Sequence, residues 1–107
     1  MTKKNAKPES RKRGTRAVIP ADVKSIGAVY DILARDLDLP HHFGRNLDAL
    51  YDALTGDVAG PFVVVIEDAP RLKKALGAKG AALVGVFQDV ARARRDATIM
   101  YGFGKRR

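Results

Sequence analysis

The sequence predicts an α/β domain in which a small three-stranded parallel sheet is flanked by about four helices, and three observations carry that prediction. The run Phe62-Val-Val-Val-Ile66 is continuously apolar instead of alternating, the pattern of a central strand buried on both faces of a parallel sheet. Apolar residues at helical spacing stand on both sides of it. The order along the chain is strand, helices, strand, helices, strand, which right-handed crossovers assemble into one small α/β layer.

Each element follows from its residues. Positions 1–14, rich in Lys and Arg with no periodic apolar residue, cannot offset their ordering entropy by burial and are expected to be disordered. The domain is expected over 15–103, with 104–107 a second basic tail. Ala17-Val18-Ile19 is a short strand closed by Pro20. Ser25 can cap a helix with Ile26, Val29, Tyr30, Leu33 and Leu37 on one side, and Leu39-Pro40 is expected to end it. Asn46 can cap a second helix of about two and a half turns, with Leu47, Leu50 and Leu54 on one face and Gly56 as its stop. Gly60-Pro61 precedes the central strand. Asp68 can cap a short helix with Pro70 in its first turn, Leu72 and Leu76 on its buried side and Gly77 past its end. A longer helix is expected from about Gly80 to Arg95, with Leu83, Val86, Phe87 and Val90 inward and Arg92, Arg94 and Arg95 favourably placed at the negative end of its dipole. Ala97 to Phe103 supplies the third strand.

Composition bounds the function. The 107 residues suit one domain and contain no cysteine, which removes disulfides, thiolate catalysis and Cys-ligated metals. The longest apolar run has five residues, far short of the roughly 20 that a membrane helix needs. A net charge of +8 would by itself point to nucleic acid. Its location argues otherwise. Lys3, Lys4, Lys7, Arg11, Lys12 and Arg13 against Glu9 give the first 15 residues +5, Lys105, Arg106 and Arg107 give the end +3, and positions 16–103 sum to zero. Within that body, Asp36, Asp38, Asp48, Asp52 and Asp57 face Arg45 alone, a local balance of −4.

The second helix holds the chief anomaly. At 100° per residue its leucines cluster on one side, while Asp48, Tyr51, Asp52 and Thr55 cluster on the other. Asp48 and Asp52 repel at i, i+4 with no Lys or Arg at helical spacing inside the helix to relieve them, and a local rule broken without local compensation points to a site. The plainer reading places Asp48 in a first turn that welcomes carboxylates and leaves Asp52 as a solvated surface residue. His41-His42 lack a third nitrogen ligand and any metal-motif spacing, so neither a metal site nor hydrolysis is expected of them. Glu67 and Asp68 lie where α/β folds bind ligands, but helix capping is the simpler role there.

The stretch Leu39-Pro-His-His-Phe-Gly-Arg-Asn-Leu-Asp-Ala-Leu-Tyr-Asp-Ala-Leu-Thr-Gly56 resembles the central segment of the barstar family of intracellular ribonuclease inhibitors. The likeness extends more weakly from Ala17 to Tyr101 through the apolar strand, Gly80, Val86-Phe87 and Asp96-x-Thr98-Ile99. It implies a cytoplasmic inhibitor that is monomeric when free, needs no cofactor or membrane, has no catalytic residues and binds a barnase-type ribonuclease 1:1. It also implies that the loop and second helix plug the enzyme's active site. The partner-binding role then falls on Asp52 first, with Asp48 beside it and Asp89 in support, while His42, Gly44, Asn46, Tyr51, Thr55 and Gly56 occupy other contact positions. The family pattern has tyrosine where His42 stands, tryptophan at Tyr51 and glutamate at Asp89. A convex acidic helix suits a concave cationic cleft, because complementary fields steer the encounter. A second reading, from another class, is a nucleic-acid-associated protein that makes weak phosphate contacts through its basic tails.

Overall fold

The computed structural model describes residues 16–40 and 43–104. His41, His42 and the tail residues before Arg16 and after Gly104 lie outside them, as does the expected disorder of residues 1–14. Strands β1 (Arg16–Ile19), β2 (Phe62–Ile66) and β3 (Ala97–Tyr101) form one parallel sheet in the order β1-β2-β3. The register sets Val18 beside Val65 and Val65 beside Met100. Among the described residues the helices are α1 (Ile26–Asp36), α2 (Leu47–Asp52), α3 (Ala69–Leu76) and α4 (Ala78–Ala93), with a π-helical turn, Ala53–Asp57, continuing α2. None is long and apolar enough to cross a membrane.

The core lies on one face of the sheet. Ala17, Ile19, Phe62, Val64, Ile66 and Ala97 are buried there beneath Val29 and Leu33 of α1 and Leu83, Phe87 and Val90 of α4. The opposite face carries Val18, Val63 and Val65, all half-buried, and Met100, which is 51% exposed. The expectation that β2 is buried on both faces is therefore corrected. In a sheet whose strands follow one another in chain order, right-handed crossovers return on the same side, so one face receives the helices. Val63 and Val65 are β-branched because such residues fit a pleated, half-buried surface, not because a second layer covers them.

Most helix boundaries follow their local signals. Ser25 Oγ accepts the Ala28 N–H at 3.1 Å, and Asp68 Oδ1 accepts that of Arg71 at 3.1 Å. Gly77, at φ 63°, closes α3 in the left-handed region. The other boundaries move. α1 ends at Asp36, ahead of Leu39-Pro40, because Asp38 adopts φ 57° and the Leu37 and Leu39 N–H groups turn back to the carbonyls of Leu33 and Ala34. α4 begins at Ala78, and Gly80 marks its close approach to α3, where a Cβ would stand 2.8 Å from Lys73 Cα. α4 also stops at Ala93, so Arg92 lies in its last turn while Arg94 leaves the helix in an extended conformation.

Candidate functional site

The segment leading into α2 is fixed by its contacts with α1. The Phe43 N–H donates to the Pro40 carbonyl at 2.9 Å, and the Phe43 ring meets Tyr30 edge-on with centroids 5.5 Å apart. Arg45 adopts φ 55° and sends its side chain across to α1. Its NH1 donates to Asp31 Oδ1 at 2.8 Å and its NH2 to the Gly27 carbonyl at 3.3 Å, with the guanidinium 5.7 Å from the Tyr30 ring centre. Burial pushes the Tyr30 phenol above its ordinary pKa, and the Arg45 charge pulls the other way. Arg45, the single Lys or Arg among residues 36–57, is thus engaged by Asp31, outside that acidic stretch.

Asn46 then starts the helix. Its Oδ1 accepts the Ala49 N–H at 2.7 Å, and its Nδ2 donates to the Gly44 carbonyl at 3.3 Å, so one side chain caps α2 and braces the loop before it. Leu50 is fully buried, as are Ala53 and Leu54 just beyond the helix. Asp48 and Asp52 are exposed, and among the described residues neither has an ion-pair partner. Hollows flank the helix on several sides. One, about 770 Å³, runs between α2 and α4 and is bordered by Asp48, Tyr51, Asp52, Val86, Asp89 and Arg92. A second, about 370 Å³, joins Asp48 to Tyr30, Arg45 and Lys79, and a third, about 200 Å³, joins Asp52 to Gly44, Phe43 and Asp57. Each aspartate borders two hollows, so α2 forms a ridge with its carboxylates along the crest.

The far end of the ridge departs from expectation. Gly56 does not stop the helix; it sits exposed within the π-helical turn, which closes when the Val58 N–H donates to the Ala53 carbonyl at 3.0 Å. Thr55 is half-buried, and its hydroxyl donates to the Tyr51 carbonyl at 2.7 Å. Tyr51 belongs less to the exposed stripe than the helical projection suggests. It is half-buried and packs on the core, because α4 covers a broader arc of α2 than the leucines mark.

The sequence places Arg94 at the negative end of a helix dipole, with an RNA-facing patch as the lesser reading of Arg92, Arg94 and Arg95, yet Arg94 NH1 donates to the carbonyls of Leu54 at 3.0 Å and Val58 at 2.6 Å. Its Nε and NH2 donate to the two oxygens of Asp96, each at 2.8 Å. These hydrogen bonds hold the Asp96 carboxyl below the usual carboxylate range, with burial opposing them. The signal available in sequence was the Arg94-x-Asp96 spacing at a strand entrance, which says nothing about residues 54 and 58.

The structure therefore gathers Asp48, Tyr51, Asp52 and Asp89 around one groove and sets Gly44 and Asn46 at the start of the ridge, with Thr55 and Gly56 at its end. His42 lies outside the described residues. Asp89 is engaged by Arg92 one turn along α4. Asp68 caps α3, while Glu67 Oε1 accepts the Ala21 N–H at 3.0 Å and ties the loop after β1. Among the described residues no group of three or more His, Asp or Glu side chains is placed to hold a metal ion. The assembly can present two carboxylates on an exposed helix face.

The sequence profile of the family described as Barstar (barnase inhibitor) matches residues 15–103 of this chain. A protein of Bacillus subtilis (strain 168) named "Putative ribonuclease inhibitor YrdF" is 35% identical over 75 residues, covering 70% of this chain and 82% of that protein.

Proposed function

This chain belongs to the barstar family, and on that premise we propose that it inhibits a barnase-type ribonuclease by seating the α2 ridge in the enzyme's active-site cleft. The observation that carries the reading is the crest of α2, where Asp48 and Asp52 stand exposed above the groove that also holds Asp89. A ribonuclease cleft is built to hold phosphates with cationic groups. Carboxylates on a rigid convex support meet those groups without the flexibility of a nucleotide chain, so less ordering is needed on binding. Asp52 is the principal contact, Asp48 its neighbour, and Asp89 a weaker one because Arg92 already neutralises part of its charge. The basic tails are compatible with this role, since exposed charges are screened over about 8 Å at physiological salt.

The test is a titration of a barnase-type ribonuclease with the purified chain. One equivalent abolishes activity if the reading is right, and a version trimmed to 15–103 does so equally well. Undiminished activity at tenfold excess contradicts it. Inhibition that disappears with the tails and falls steeply with added salt points instead to nucleic-acid binding, in which the chain sequesters the RNA substrate.

A further inference from the structure

We infer that Arg94 is a positioning residue for the α2 ridge: its guanidinium pins the π-helical end of the ridge to the entrance of the sheet and so fixes the placement of Asp52. The geometry stands alone, while its consequence for affinity rests on the ribonuclease-inhibitor reading above.

Six residues of α-helix followed by five of π-helical turn are too few to hold themselves. Helix ends also leave carbonyls without partners. Here two such carbonyls, on the buried residues Leu54 and Val58, receive Arg94 NH1, and Asp96 grips the other side of the guanidinium fork to fork. The Arg94 guanidinium carbon lies 5.1 Å from the centre of the Phe62 ring at the start of β2, and its side chain is only 17% exposed. Space for the pair comes from Gly60, where a Cβ would fall 1.8 Å from Asp96 Oδ2 and 2.6 Å from Arg94 NH2. One side chain thereby joins the end of the ridge to Phe62, the first residue of β2, and to Asp96, just before β3. A lysine cannot replace it, because a point charge on a flexible stem lacks the planar fork that serves four acceptors at once.

The two ends of the ridge are held by different groups. Asp48 lies next to the Asn46 cap and the Arg45 contacts with α1, whereas Asp52 lies two residues before the Leu54 carbonyl that Arg94 holds. Loss of Arg94 should therefore disturb Asp52 and spare Asp48. A residue that merely stabilised the fold would affect both alike.

Arg94→Ala in the full-length chain tests this in two ways. Amide exchange by NMR should accelerate at least about tenfold at Val58, whose N–H closes the turn, and remain unchanged at Leu50, which is bonded to the Asn46 carbonyl, and at Val64 in β2. Binding to a barnase-type ribonuclease should weaken at least about tenfold. The loss should shrink below about threefold in an Asp52→Ala background and persist in an Asp48→Ala background. Equal losses in both backgrounds, or unchanged exchange at Val58, overturn the inference. If the native chain inhibits no ribonuclease, the functional reading fails and exchange at Val58 still decides whether Arg94 holds the turn. Should Arg94→Ala not fold, Asp96→Asn, which weakens the grip while keeping the arginine, is expected to give the same pattern at smaller amplitude; no change at Val58 in that variant is equally fatal.

Discussion

The α3–α4 hairpin and the α2 ridge are both amphipathic, yet they draw their order from different sources. α4 spans 16 residues and buries Gly80, Leu83, Val84, Phe87 and Val90, while α3 carries its own cap at Asp68 and its own stop at Gly77. α2 spans six residues and buries only Leu50 within its length. Its ends are held by two arginines, Arg45 against α1 and Arg94 at the sheet, each with its guanidinium over an aromatic ring. The hairpin is stabilised chiefly by what it buries, whereas the ridge, which with its π-helical turn buries Leu50, Ala53 and Leu54, depends also on what is fastened to it. Fastening leaves the outer face of α2 free for side chains that the core does not use, including two carboxylates that repel one another.

That contrast is broken most decisively at Asp52. Asp52→Ala should weaken ribonuclease binding by at least about 2 kcal/mol, roughly thirtyfold, as expected for a dominant interface residue. Calorimetric titration reads the affinity. The melting temperature should hold or rise slightly, because no cavity opens and the repulsion from Asp48 is relieved; a large fall in melting temperature would place Asp52 in the scaffold instead.

Gly80→Ala sharpens the same comparison from the other side. The added methyl meets the α3 backbone, an overpacking that costs about 1–3 kcal/mol of stability. Thermal denaturation should detect it, while affinity measured well below the melting temperature stays within about twofold of native. A change in affinity comparable to that of Asp52→Ala would mean that ridge and hairpin are not separable.

The sequence made the scaffold legible because its signals are local. Ser25, Asn46, Asp68 and Gly77 act where their positions indicate, and the inward stripes of α1 and α4 follow the helical period. The acidic stripe of α2 was legible for the same reason. What escaped was set by contacts distant in the chain. The covered face of β2 depends on the order of the strands, which Val63 and Val65 do not encode. The π-helical turn, in place of a stop at Gly56, goes together with carbonyl partners that come from Arg94, 36 and 40 residues away. The half-buried position of Tyr51 depends on how α4 crosses α2, and residues 47–56 alone carry no record of that crossing.

Acid should loosen the ridge's fastening next. Arg94 lowers the folded-state pKa of Asp96, so the pair contributes stability that is complete above the ordinary aspartate range and is lost as pH falls through the lowered value. Thermal melts followed by circular dichroism between about pH 2 and 7 should show a shallower acid limb in Asp96→Asn than in the native chain. Identical acid limbs would remove Asp96 from the acid response.

Arg92→Ala should have the smallest effect, and in the favourable direction. The Arg92–Asp89 pair is largely exposed, with side chains 73% and 54% accessible, so its loss should barely alter stability. Removing a cation from the groove should tighten binding to a cationic cleft about two- to threefold at low salt, a gain that salt screens away. Weaker binding would mean that Arg92 meets an acidic group on the enzyme.

Competition at the enzyme's active site tests the central claim most directly. A short fluorescent oligonucleotide that cannot be cleaved is bound to a barnase-type ribonuclease, and the native chain or Asp52→Ala is titrated against it. One equivalent of the native chain should release the oligonucleotide completely, and Asp52→Ala should require a concentration at least about thirtyfold higher. A ternary complex in which chain and oligonucleotide are held together, or displacement by Asp52→Ala as efficient as by the native chain, would contradict occlusion by the α2 ridge.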